Sequence, residues 1–305
     1  MSERLDCKAV ADEIKAQCAK KAAALKARDI RPKLGILRVG EKGPDLSYEK
    51  GILSFMREIG ITVEVVALPA EVSQERYVGE MQKLNADASV HGILALRPLD
   101  HIEEETAISD CLCTEKDVDA ATTKNLGRIM AGDKRGFLPC TAAALLSVLD
   151  YYEISLDGKD VVLINRSNVI GKPLSMMLLQ RNATVTICHT HTEGLPEKCR
   201  QADILILGLN GTDLITEDFV TPHTVLLDAT TVWQKVFDEA GNPVLNEKTG
   251  RQRVRTRGCC TEAALDACAA FTPVPGIGGI TTALLAKNVL QACCLQNEPR
   301  LQEKA

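Results

Sequence analysis

Four short apolar runs in the second half of the chain, at 161–164, 184–188, 204–207 and 225–228, alternate with helical or turn segments. Runs this short and this rich in β-branched residues predict strands buried on both faces. Strands separated by helices in one sheet imply a parallel sheet with right-handed crossovers. The first half has the same grammar: an amphipathic helix from about 8 to 28, then strand 34–39, helix 46–59, strand 61–68, helix 73–84 and strand 92–96. After an irregular stretch at 116–128, Thr141 is expected to cap a helix to 149 that bridges the two blocks. The prediction is therefore an α/β protein of two domains. Turn signals at 239–242 and 248–250 predict a hairpin near 233–257, and a final helix is expected at 282–295.

Composition removes several function classes. With 305 residues, 45% of them hydrophobic, the chain can bury large cores. Its first residues are charged, and no later apolar run reads as long enough to cross a bilayer, so a soluble cytoplasmic protein with no membrane partner is expected. The twelve cysteines show neither disulfide nor zinc spacing and read as small core residues. A net charge of −5 argues against a nucleic-acid partner, and Arg251, Arg253, Arg255 and Arg257 read as one face of an exposed strand.

Segment 161–173 carries the first chemical signal. An apolar run meets Asn165-Arg166-Ser167, and Gly171 and Pro173 then open a helix whose apolar positions Leu174, Met177 and Leu178 recur at helical spacing. Gly171 lets the backbone come close, Pro173 suits the first helical turn, and the free N–H groups there attract anions. An arginine just after the first strand of a dinucleotide-binding unit can meet an adenosine 2′-phosphate, which favours NADP over NAD. By itself the segment fits an ordinary βα turn with a solvated arginine equally well, because the G-x-G-x-x-G pattern is incomplete.

The order of further motifs separates these readings. Tyr48 stands in a helix after Arg38-Val39-Gly40, and His91-Gly92-Ile93-Leu94 leads to Pro98-Leu99. Lys116-Asp117-Val118-Asp119 precedes Asn125-Leu126-Gly127-Arg128, Pro139-Cys140-Thr141 follows, and Thr272-Pro273-Val274-Pro275-Gly276 comes near the end. This series resembles the bifunctional methylenetetrahydrofolate dehydrogenase/methenyltetrahydrofolate cyclohydrolase family of FolD type, over nearly the whole chain. The resemblance implies an N-terminal α/β catalytic domain over 1–140 joined by the C-terminal helix 282–298, and an NAD(P)-binding Rossmann domain with a parallel sheet over 141–281. It further implies a homodimer, a folate substrate held in the cleft between the domains, NADP-dependent oxidation of 5,10-methylenetetrahydrofolate, and hydrolysis of the methenyl product to 10-formyltetrahydrofolate.

Carried over residue by residue, the resemblance places Tyr48 against the folate and Asp119 on the pterin, whose amino and ring N–H groups a carboxylate can accept. The alternative role for Asp119 is a loop or helix cap. Asn165, Arg166, Ser167, Gly171, Thr190 and Thr231 fall at the family's cofactor positions. His189 and His191 would share one side of a strand, but with no third ligand nearby no metal is expected.

Several positions depart from the family pattern. Its catalytic lysine, one helical turn after the tyrosine, is Ile52 here; Lys50, two positions along, points away. A family glutamine near that lysine is Leu96. Asn165 replaces a glycine, Asn210 and Thr230 replace two more, Cys259 replaces an aspartate, and 277–282 alters the closing motif. Hydride transfer is chiefly a positioning task, whereas hydrolysis requires water to lose a proton. The expected function is thus NADP-dependent oxidation with the cyclohydrolase step impaired or lost. Three readings stay open beside it: a catalytically silent folate-binding or partner-binding paralogue, a dehydrogenase for another substrate, and a fully bifunctional enzyme using a replacement such as Arg97.

Overall fold

In the computed structural model, residues 2–99, 108–238, 241–245, 250 and 252–298 are described. The chain divides into two compact units, one formed by Met1–Lys8 with Leu145–Gly278 and the other by Ala9–Ala144 with Gly279–Ala305. Both have an α/β architecture built on a parallel sheet.

In the unit Ala9–Ala144 with Gly279–Ala305, β2 (Lys33–Val39) lies between β3 (Thr62–Leu68) and β4 (Gly92–Ala95), and both pairings are parallel. Strand β1 (Glu3–Arg4) belongs to the other unit. Five consecutive residues of β2 are buried, as a central strand covered on both faces requires. Helix α1 (Cys7–Ala27) precedes β2, and α2 (Gly43–Ile59) follows it with Pro44 in its first turn. Ile52, Met56 and Ile59 recur at helical spacing along the buried side of α2. The helix stops at Gly60, whose φ of 83° is left-handed and whose N–H bonds back to Met56 and Arg57. Helix α3 (Gln74–Ala86) is capped by Ser73 and buries Tyr77, Met81 and Leu84.

Two expectations in this unit are corrected. The stretch 116–128 is not irregular throughout, because α4 (Thr123–Met130) occupies its second half. Its cap, Thr122, is held from outside the helix: Asp117 Oδ2 accepts the Thr122 N–H at 2.9 Å and its hydroxyl at 2.7 Å. Thr141 does not cap the next helix. Helix α5 (Cys140–Tyr151) already includes it, and the Cys140 N–H donates to Asp119 Oδ1 at 2.9 Å. Asp119 therefore does the capping, from a distant point in the sequence.

In the unit Met1–Lys8 with Leu145–Gly278, six parallel strands run in the order β1-β11-β8-β7-β5-β6: β1 (Glu3–Arg4), β11 (Ala270–Phe271), β8 (Val225–Asp228), β7 (Ile204–Leu207), β5 (Asp160–Ile164) and β6 (Thr184–Cys188). All four residues of β7 are buried. Helices α6 (Gly171–Leu179), α7 (Leu195–Arg200) and α8 (Glu262–Ala267) lie between strands in sequence. The predicted hairpin is present as β9 (Val232–Lys235) paired antiparallel with β10 (Val254–Arg257). Parts of its two turn signals, at 239–240 and 248–249, and Arg251 fall outside the described residues.

The last helix, α9 (Ile277–Gln296), begins five residues before its expected start. Its 20 residues are long and apolar enough to cross a membrane by length and composition, which corrects the expectation that no such run exists. Of its most apolar window, 67% is buried inside the protein. The Cys18 thiol donates to Ala283 O, and Asn288 and Gln296 bond to Val118 and His91, so this is the pattern of a core helix.

Candidate active site

The loop after β5 closes on itself through one side chain. Asn165 Oδ1 accepts from the Ser167 N–H at 2.9 Å, the Ser167 hydroxyl at 2.8 Å and the Gly171 N–H at 3.0 Å, while its Nδ2 donates to Gly208 O at 2.6 Å. Gly171 is required by close approach, since a Cβ there would lie 2.1 Å from Asn165 O. β5 has β6 on one side and β7 on the other, so the crossovers from β5 to β6 and from β6 to β7 run in opposite directions along the sheet. A crevice outside the carboxyl ends of strands at such a reversal is where open α/β sheets bind ligands. A cavity of about 310 Å³ opens there, lined by Asn165, Arg166 and Thr190 with apolar Leu195, Leu209 and Phe219 among others.

This loop fits a phosphorylated nucleotide in part. The apolar wall suits a base, the exposed Arg166 guanidinium and Thr190 hydroxyl suit a phosphate, and the start of α6 offers backbone N–H groups. The Gly171 N–H at that start and the Ser167 N–H in the loop before it are already satisfied by Asn165, in the role an anion would otherwise take. Thr231 is exposed after β8 and does not line this cavity, whereas its buried neighbour Thr230 accepts the Leu209 N–H at 3.0 Å. His189 and His191 are not on a strand. They sit in the turn after β6, with ring centroids 6.0 Å apart and the His191 N–H directed at His189 Nδ1.

The second cluster belongs to the other unit. Tyr48 lies one turn before the fully buried Ile52 on α2, and the buried Arg38–Glu49 ion pair, at 2.8 Å, ties α2 to β2. Burial pushes the Tyr48 hydroxyl well above the usual phenol range, and the Asp119 carboxylate and Cys140 thiol push it in the same direction. Burial likewise raises the Asp119 carboxyl, opposed by its hydrogen bonds from Cys140 and by the charge of Arg97. The Cys140 thiol is raised well above its ordinary value by burial and by Asp119. Tyr48 and Cys140 therefore hold their protons at neutral pH. Leu96 is 7% exposed and adds no polar atom.

The preceding residues hold Asp119 in place. Lys116 Nζ donates to the carbonyls of Leu84, Asn85 and Asp87, and Asp117 collects Ala121 N, Thr122 N, Thr122 Oγ1 and Asn125 Nδ2. Asn288 of α9 donates to Val118 O at 2.8 Å and to Cys140 Sγ at 3.6 Å. Asn288 carries no sequence signal, and the Pro139-Cys140-Thr141 motif does not show that Cys140 meets Asp119, because each reaches Asp119's surroundings from a remote segment. Ala120, next to Asp119, takes a left-handed φ of 50°, which is strained for a residue with a Cβ.

A family model of the tetrahydrofolate dehydrogenase/cyclohydrolase catalytic domain matches residues 5–119, and one of the NAD(P)-binding domain of the same enzymes matches residues 139–297. The chain belongs to the tetrahydrofolate dehydrogenase/cyclohydrolase family. It is 40% identical to the bifunctional protein FolD of Alkaliphilus oremlandii over 298 residues, 97% of this chain and 99% of that one. Its structure matches the FolD methylenetetrahydrofolate dehydrogenase/cyclohydrolase of Campylobacter jejuni with a TM-score of 0.85 at 32% identity, covering 96% of this chain and 99% of that one. The Trypanosoma brucei enzyme, solved with NADP cofactor and an inhibitor, matches with a TM-score of 0.85 at 27% identity, over 96% and 97% of the two chains. Family membership places the chain in folate-dependent one-carbon metabolism.

Proposed function

We propose that this chain oxidises 5,10-methylenetetrahydrofolate to 5,10-methenyltetrahydrofolate with NADP and hydrolyses the methenyl product poorly. The observation that carries the folate half is the desolvated cluster of Tyr48, Asp119 and Cys140, fixed by the Lys116–Asp117 loop. Asp119 accepts the paired N–H groups of the pterin, and Tyr48 offers a ring face and a protonated hydroxyl. Arg166 and Thr190 take the adenosine 2′-phosphate, and the backbone around Ser167 and Gly171 takes the diphosphate. The nicotinamide supplies the hydride acceptor when bound. The folate falls to 1–140 with the C-terminal helix, the cofactor to 141–281, and the chain works as a cytoplasmic homodimer.

The weak hydrolysis rests on position 52. The family's lysine position is occupied by an isoleucine with no exposed surface, and Leu96 stands where the family has a glutamine. Apolar side chains at both points exclude water and offer no acceptor for its proton. A second reading is favoured by the comparisons more than the first: relatives near 40% identity over almost the full chain are named bifunctional proteins, which supports both steps in this chain. In that reading another group takes the proton.

Methenyltetrahydrofolate offered to the purified protein tests the proposal. Hydrolysis no faster than the enzyme-free rate, rising in Ile52→Lys, supports the first reading. Hydrolysis well above that rate, and lost in Tyr48→Phe, replaces it with the second.

A further inference from the structure

The carboxylate that ends β8 gathers two thiols from the segment after β10. Asp228 Oδ1 accepts the Thr230 N–H at 2.8 Å and Oδ2 accepts the Cys259 N–H at 2.9 Å, so the carboxylate plane is fixed by backbone. The Cys259 thiol donates to Oδ2 at 3.4 Å and the Cys260 thiol to the same atom at 3.8 Å. The three ligand atoms lie within 4.8 Å of one another, and all three residues are buried. Gly258 lets the chain pass this close, because a Cβ on it would stand 2.4 Å from Asp228 Oδ2.

We propose that Asp228, Cys259 and Cys260 form a site for a divalent zinc-class cation, with an open fourth position. Tetrahedral zinc with Zn–S of about 2.3 Å and Zn–O of about 2.1 Å has S···O edges of about 3.6 Å and S···S edges of about 3.8 Å. The two S···O separations of 3.4 and 3.8 Å straddle the first of these values. Two thiol protons already converge on one carboxylate oxygen, and the cation takes their place. Binding forms two metal–sulfur bonds and one metal–oxygen bond and releases both protons to solvent, with no change of oxidation state. A cavity of about 140 Å³, lined by Asp228, Cys260, Arg257 and Thr272 among others, reaches the site and leaves room for a water on the fourth position. Motif spacing misses this site because two ligands are adjacent and the third is about thirty residues earlier, at the end of β8.

Cobalt(II) titration of the reduced, metal-stripped full-length protein tests the site directly. The expected result is a near-ultraviolet thiolate-to-cobalt band saturating at one metal per chain, with zinc displacing the cobalt. Cys259→Ser and Cys260→Ser should each weaken binding by at least about 100-fold, since disturbing even an outer-shell partner of a metal ligand costs about 10–100-fold. Cys268→Ser, in the same apolar cluster but outside the trio, should bind as the parent does. No band at saturating cobalt, a band that survives both ligand variants, or equal loss in Cys268→Ser overturns the proposal. Should a ligand variant not fold, proton release from the parent protein decides it: two protons per zinc supports the site, and none contradicts it.

Discussion

The loop after β5 and the cluster around Asp119 treat their polar groups in opposite ways. In the loop, Asn165 satisfies the N–H groups of Ser167 and Gly171 and is itself anchored on Gly208, so the segment is complete without a ligand. Around Asp119, burial raises a carboxyl, a phenol and a thiol together, and the neighbouring Ala120 holds a strained φ. The first region is stable as built; the second is expensive as built. A ligand at the first must compete with a side chain, whereas a ligand at the second relieves a cost the fold already carries.

Asp119→Asn should break this contrast most strongly. The amide oxygen can still accept the Cys140 N–H, but one charge-assisted partner of the pterin is lost. KM for methylenetetrahydrofolate should rise roughly 10–100-fold, measured by NADPH formation, as expected for a hydrogen bond to a charged group. Stability should move the other way. Burial raises the carboxyl's folded pKa above its unfolded value, so the folded state binds its proton more tightly, and the native protein loses stability as pH rises between the two. Denaturant melts should find the variant more stable than the parent at neutral pH, with the gain vanishing below about pH 4, near the unfolded pKa.

Ile52→Lys sharpens the comparison from inside the second region. An ammonium placed where the parent side chain is fully buried should lower stability by about 3 kcal/mol or more in denaturant melts. Arg166→Gln probes the first region: the Kd for NADP should rise about 10-fold or more by calorimetry, while that for NAD stays close to the parent value.

Asn165→Gly removes the side chain that fills the loop, and it should cost about 1–2 kcal/mol in thermal or denaturant unfolding while tightening NADP. A weaker Kd for NADP in that variant would mean that Asn165 supports the cofactor rather than competes with it. Ala120→Gly should stabilise the protein by up to about 1 kcal/mol, because glycine adopts a φ of 50° without a Cβ penalty.

Structure is legible in the sequence where it is local. Strands such as Ile204–Leu207 announce themselves by composition, and the Asn165–Gly171 turn is written in one segment. Elements set by distant partners are not legible there. Helix α4 is short and its cap is oriented by Asp117, α5 is capped by Asp119 rather than Thr141, and β1 and β11 are two-residue strands that exist only through pairing. The same limit applies to the sites. Tyr48 and Ile52 are readable from one helix, whereas the convergence of Asp119, Cys140 and Asn288 requires three segments to fold together.

On the proposed function, Tyr48, Asp119 and the loop after β5 support oxidation, and the apolar pair Ile52 and Leu96 withholds hydrolysis. The most direct test follows NADPH, methenyltetrahydrofolate and 10-formyltetrahydrofolate together after methylenetetrahydrofolate and NADP are mixed with the protein. Methenyltetrahydrofolate should accumulate in step with NADPH, and 10-formyltetrahydrofolate should form only at the enzyme-free rate. Appearance of 10-formyltetrahydrofolate in step with NADPH, or no NADPH at all, contradicts the proposed function.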